Sequence, residues 1–109
     1  MAEKKILVTT TSEIPGKKIV EVLGLVWGSC IKAKHLGKDI VMGIKKLTGG
    51  ELGFYTEMLE EARKEAIERM VKHAEELGAD AVVNFRFSTS MVTTGAAEIV
   101  AYGTAVKLE

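Results

Sequence analysis

Lys18-Ile19-Val20-Glu21-Val22-Leu23-Gly24-Leu25-Val26-Trp27-Gly28-Ser29-Cys30-Ile31-Lys32-Ala33 is the stretch on which the fold turns. It is rich in Val, Ile and Leu, residues that suit a pleated sheet surface, and it reads as one long strand or two collinear ones. Gly24 and Gly28 interrupt it, and a glycine inside a strand marks a bulge, a bend or a close backbone approach. Alternation puts Ile19, Leu23, Leu25, Trp27 and Ile31 on one face and Val20, Val22, Val26 and Cys30 on the other. Both faces are apolar. A two-layer domain covers one face of its sheet with helix and leaves the other to water, so the outer face should be polar. A second copy covering the surplus face resolves the conflict, and closed symmetric homo-oligomers are the usual form of such assemblies. The alternative is a monomer whose bent sheet wraps around its own helix.

Working outward, Lys5 to Thr9 reads as a short first strand, and Thr10 to Gly16, with the only proline, as a turn. Beyond a Gly37-Lys38-Asp39 break, Ile40, Val41, Ile44 and Leu47 predict a short helix that Gly49-Gly50 ends. A long helix is predicted to begin between Glu51 and Thr56 and to run to Leu77. Its stripe is Tyr55, Met58, Leu59, Ala62, Ala66, Met70, Val71, Ala74 and Leu77, opposite a charged face. Glu60 with Lys64, Glu65 with Arg69 and Glu68 with Lys72 stand four apart in the favourable order. Ala79 to Val92 alternates, with Val83, Phe85, Phe87 and Met91 one way and Asn84, Arg86, Ser88 and Ser90 the other. A Thr93-Thr94-Gly95 turn then makes an antiparallel hairpin with a last strand from Glu98 to Leu108. The fold class is α+β, a two-layer antiparallel sheet on one long helix, in a single domain over residues 1–109.

Composition narrows the function. Fifteen basic and fifteen acidic side chains cancel, and no basic cluster exceeds a pair, so the sequence has no electrostatic footprint for nucleic acid. No apolar run approaches the ~20 residues that span a bilayer. Ile6-Leu7-Val8 behind Lys4-Lys5 is too short for a signal peptide. The single cysteine, Cys30, excludes an intrachain disulfide and fits a reducing compartment, so the expected location is the cytoplasm.

Five segments, in order, resemble one known family: Gly24-Leu25-Val26-Trp27-Gly28; Gly49-Gly50-Glu51-Leu52 with Tyr55-Thr56; Ala62-Arg63-Lys64-Glu65-Ala66 with Arg69-Met70; Gly78-Ala79-Asp80-Ala81-Val82-Val83; and Tyr102-Gly103-Thr104-Ala105-Val106. Together they are similar to the YbjQ-like family, an uncharacterised group described as heavy-metal-binding, and the likeness covers nearly the whole chain. The resemblance implies a dodecin-like subunit, an antiparallel sheet packed on a helix, assembled as a homopentamer.

Few residues carry chemistry. Cys30 and His35 form a Cys-x4-His pair at the end of the long strand. Thiolate and imidazole suit a divalent heavy metal, but a closed site needs about four ligands and one chain offers two here. The ordinary account of the pair is a buried small cysteine and a surface histidine. Met42, Met58, Met70 and Met91 suggest copper(I) less than they suggest packing, since Met58 and Met70 lie on the helix stripe. Gly49-Gly50-Glu51-Leu52-Gly53 before a helix could receive an anion on its N–H groups, but it lacks the Lys-Ser/Thr ending of a phosphate loop. Asn84, Arg86, Ser88 and Ser90 with Thr104 are the candidate lining of an inter-subunit ligand pocket, against the plainer alternative of a solvated strand face. Cys30 with His35 is the only nucleophile–base pair, and no orienting third group is evident. The leading expectation is a non-enzymatic oligomer that holds a metal or small ligand at subunit interfaces. An enzyme built on those interfaces and a purely structural or partner-binding ring are the alternatives.

Overall fold

A computed structural model of the chain describes residues 5–33, 49–93 and 96–109, the side chains of 49–55 excepted. The predicted short helix over Asp39–Leu47, and His35 with it, lie outside the described residues. Strand β1 spans Leu7–Val8, β2 Ile19–Ala33, helix α1 Gly49–Glu76, β3 Ala81–Thr93 and β4 Ala96–Leu108. The four strands form one sheet in the order β1-β3-β4-β2. β2, β4 and β3 run antiparallel as expected, while β1 joins β3 in parallel through Leu7 opposite Ala81 and Val8 opposite Val82, so the sheet is mixed. Among the described residues no helix is long and apolar enough to cross a membrane.

α1 lies across β2 and β4 on one face of the sheet. Ala62, Ala66, Met70 and Ala74, four apart along the helix, are fully buried against Val26, Cys30, Ile99, Ala101 and Ala105. Alanines let the helix axis come close, and Gly28 lets it closer still. A Cβ on Gly28 would stand 2.3 Å from the Ala66 carbonyl oxygen and 2.3 Å from the Met70 nitrogen. The interrupting glycine of the long strand is thus a close-approach glycine. Leu77, read as part of the stripe, is 41% exposed at the helix end, where Gly78 in the left-handed region (φ +79°) stops the helix.

Two irregularities rearrange the faces expected from simple alternation. In β2 the register shifts between Val22 and Gly24, so Leu23 packs on the helix-side core while Leu25 is 61% exposed. In β3 it shifts between Val83 and Arg86: Val83 lies opposite Thr104 and Arg86 opposite Tyr102, three steps on one strand against two on the other. Asn84 takes the extra position at φ 54°, a conformation asparagine tolerates better than most residues. Val83 therefore leaves Phe85 and joins Ala81 and Val106 in a second small core, which Ile14, Ile19 and Leu108 cover from the other side of the sheet.

Candidate functional site

Cys30 sits on the helix side of β2, buried at 3% exposure. Its thiol donates to Glu65 Oε2 at 3.1 Å, and Lys32 Nζ donates to Glu65 Oε1 at 2.9 Å. Lys32 also lies 3.8 Å from Glu61, and Arg69 lies 3.9 Å from Glu65 as the four-residue spacing predicted. One carboxylate on α1 thus gathers a thiol and two cations. The hydrogen bonds from Cys30 and then Lys32 hold the Glu65 carboxyl below its ordinary range. Burial first, then the bond to Glu65, pushes the Cys30 thiol up, and the bond to Glu65 pushes Lys32 up. Cys30 is therefore a neutral thiol at pH 7, a poor nucleophile and a poor metal ligand until its proton leaves.

The sign of each shift fixes a pH dependence. Glu65, depressed in the fold, stabilises the protein above the ordinary carboxylate range, and that contribution disappears as pH falls through its folded value. Cys30, raised in the fold, contributes below its ordinary thiol range, and that is lost as pH rises through its folded value. Glu65→Gln is expected to lower the urea midpoint at pH 7, with the gap to wild type closing below the carboxylate range. A gap that stays constant into acid would refute the charged role given to Glu65.

The other face of the sheet carries the ligand candidates. Cross-strand register lines up Leu25 with Thr104 and Val83, Trp27 with Tyr102 and Arg86, Ser29 with Val100 and Ser88, and Ile31 with Glu98 and Ser90. Arg86, Ser88 and Thr104 therefore share one face, as expected from the sequence. Asn84 does not continue their alternation, because the bulge takes it out of step, and its N–H donates to the Thr11 carbonyl at 3.0 Å. Arg86 Nη1 donates to the carbonyls of Phe85 at 2.8 Å and Thr10 at 3.2 Å, which fixes the guanidinium beside the strand. Along β2 the same face exposes Leu25, Trp27 and Ile31 by 61, 52 and 60%. A cavity of ≈ 730 Å³ lies within the Thr11–Ile19 loop, whose Ile14 and Ile19 pack over Val83.

His73, which the sequence left distant from any site, instead meets Trp27. Its Nδ1 accepts the Trp27 backbone N–H at 3.3 Å, and the two rings meet edge-on with centroids 4.6 Å apart. Arg69 Nη1 donates to the Ser29 carbonyl. Both contacts, like those of Glu65, come from the helix flank beside the alanine stripe. Their only trace in the sequence is the spacing Glu65, Arg69, His73 at intervals of four.

A family profile described as "Putative heavy-metal-binding" matches residues 6–109. The chain belongs to the YbjQ-like family. Relatives named UPF0145 proteins match it over 94–97% of its length. The one from Methanosarcina acetivorans is 62% identical over 102 residues, 94% of this chain and 96% of the relative. That from Archaeoglobus fulgidus is 57% identical over 106 residues, 97% and 98% respectively. A Thermotoga petrophila relative is 59% identical over 103 residues, 94% and 97%. A crystal structure of a DUF74-family protein with unknown function from Pediococcus pentosaceus covers 95% of this chain and 98% of that one. It matches with a TM-score of 0.62 at 18% identity, which shows a shared fold.

For a YbjQ-like subunit the description raises the question of a metal. Among the described residues no three of His, Cys, Asp and Glu come together as a metal ion requires. The Cys30 thiol keeps its proton and donates a hydrogen bond to Glu65, and a dication at that carboxylate would meet the charges of Lys32 and Arg69. The described residues of a single YbjQ-like chain do not fit a metal centre.

Proposed function

We propose that this YbjQ-like chain is a subunit of a homo-oligomer, by resemblance a pentamer, that binds a small ligand where the outer sheet faces of its copies meet. The observation that carries the reading is the outer face itself. An apolar row of Leu25, Trp27 and Ile31 lies open beside a row that holds Arg86, Ser88 and Thr104. Exposed apolar surface rimmed by a few polar groups is the usual composition of an interface or ligand groove. The dimensions agree: the radius of gyration is 17.2 Å, against about 13 Å for a compact chain of this length. An elongated subunit has surface that its own core does not use. Binding rather than catalysis is favoured because the one thiol is buried and held protonated. The carboxylate that faces it, Glu65, is itself held below its ordinary range and so is a weak base.

Native mass spectrometry on untagged protein purified without chelators tests this. The expected spectrum is a pentamer with added mass in a fixed ratio to subunits, and Arg86→Ala should lose that mass. Cd2+ added to Cys30→Ser should bind as it does to wild type. A ~10-fold loss, the scale on which even outer-shell partners of a metal register, would place the thiolate in a metal site. A bare wild-type monomer would overturn the proposal as a whole.

A further inference from the structure

The sheet has two long edges, and the chain treats them differently. At the β2 edge the helix flank reaches two backbone groups, with His73 on the Trp27 N–H and Arg69 on the Ser29 carbonyl. On the β3 side, β1 and the loop behind it cover the edge as far as Phe85. Thr9 N–H donates to the Val82 carbonyl at 2.9 Å, Asn84 N–H to Thr11 at 3.0 Å and Phe85 N–H to Thr9 at 3.0 Å. Past Phe85 no described residue pairs with that side of β3.

The groups left over follow from the ladder. The Trp27 N–H points out of the sheet, so Trp27 and Tyr102 do not exchange hydrogen bonds, and Tyr102 turns its own backbone groups toward Arg86. Arg86, Ser88 and Ser90 therefore bond inward to β4. Phe87, Thr89 and Met91 send their N–H and C=O groups to the open side, with the same parity as Phe85, whose N–H leaves in that direction. Phe87-Ser88-Thr89-Ser90-Met91-Val92-Thr93 contains no charge and no proline, the devices that usually blunt an edge. Phe87, Met91 and Val92 are 40, 77 and 57% exposed on it.

We propose that a second copy of this chain adds a strand along the outer edge of β3 from Phe87 to Met91. This rests on the homo-oligomer reading and names its seam. A neutral edge accepts a neutral strand without burying an unpaired charge, and the chain itself supplies one in the Leu23–Ile31 part of β2. Its pairing with β3 of the next copy is head-to-tail, as a ring requires. The seam also continues the sheet whose outer face the oligomer reading already buries, and it gives Phe87 and Met91 cross-strand neighbours.

Thr89→Pro tests the seam. It deletes an outward N–H and leaves the ladder to β4 intact, a placement that proline tolerates. Native mass spectrometry should show the oligomer of the wild type reduced to monomer in the variant, with far-UV circular dichroism unchanged. A variant oligomer of wild-type size would overturn the seam alone, whereas a monomeric wild type would remove the oligomer reading as well. Hydrogen exchange on the wild-type oligomer keeps the test decisive should the variant fail to fold. The Thr89 and Met91 amides are expected to be protected, and exchange as fast as that of exposed loops would overturn the seam.

Discussion

Gly28→Ala is expected to remove roughly 3 kcal/mol of folding stability, the upper end of what overpacking costs, from a domain whose total is about 5–15 kcal/mol. The new methyl would lie 2.3 Å from two backbone atoms of the helix and 2.7 Å from Arg69 Cβ. Backbone atoms cannot rotate away as a side-chain tip can, so relief requires α1 to lift from β2. Lifting it draws His73 from Trp27, Arg69 from Ser29 and Glu65 from Cys30 in a single movement. Gly24→Ala is the informative comparison. It has open space around its Cβ but a φ of +125°, so its penalty is backbone strain alone and the helix contacts survive. Urea titration gives both stabilities, and tryptophan fluorescence reports the His73 contact because Trp27 is the only tryptophan. A Gly28→Ala protein as stable as wild type would show that the helix does not sit where the distances place it.

Met70→Ala is expected to cost about 3 kcal/mol for the opposite reason, an emptied space. Among the described residues Met70 is the largest side chain that is buried completely, on the alanine row, and the small residues around it cannot expand into the gap. Met70→Leu keeps the volume and should cost less than about 1.5 kcal/mol. Met91→Ala, at a side chain 77% exposed within the subunit, should leave monomer stability nearly unchanged. Equal urea midpoints for Met70→Ala and Met91→Ala would contradict the position assigned to the core.

The contrast between these methionines shows what the sequence makes legible. Met70 falls on a stripe with period 3.6, and periodicity alone placed it inside. The long strand, the long helix and the antiparallel hairpin follow from the same kind of local regularity, and the family from motifs spread along the chain. The helix start was less legible, because Gly49, Gly50 and Gly53 are poor helix formers by intrinsic preference, yet α1 begins at Gly49. Asn84 was misread as one more alternating polar residue, since nothing in a single sequence separates an asparagine in a left-handed bulge from one on a strand face. The Cys30–Glu65–Lys32 cluster joins residues more than thirty positions apart, and only the crossing of α1 over β2 brings them together. His35, the other half of the Cys-x4-His pair, lies outside the described residues, so what is seen of that pair is Cys30 alone.

The bulge at Asn84 also acts as a phase shifter built from one residue. Upstream of it β3 turns Val83 toward the small outer core, and downstream the same strand turns Phe87 toward the helix side and Arg86 outward. Side chains on a strand have period two, so straightening the bulge at constant length would invert every later position. Arg86, Ser88 and Ser90 would exchange places with Phe87, Thr89 and Met91. A mutation that touches no functional side chain could thus move the polar row to the far side of the sheet. Deleting Asn84, by contrast, would leave two steps against two and keep the faces. Among homologues, a segment one residue shorter would present the same faces without a bulge, so its length decides how any residue in it is to be read.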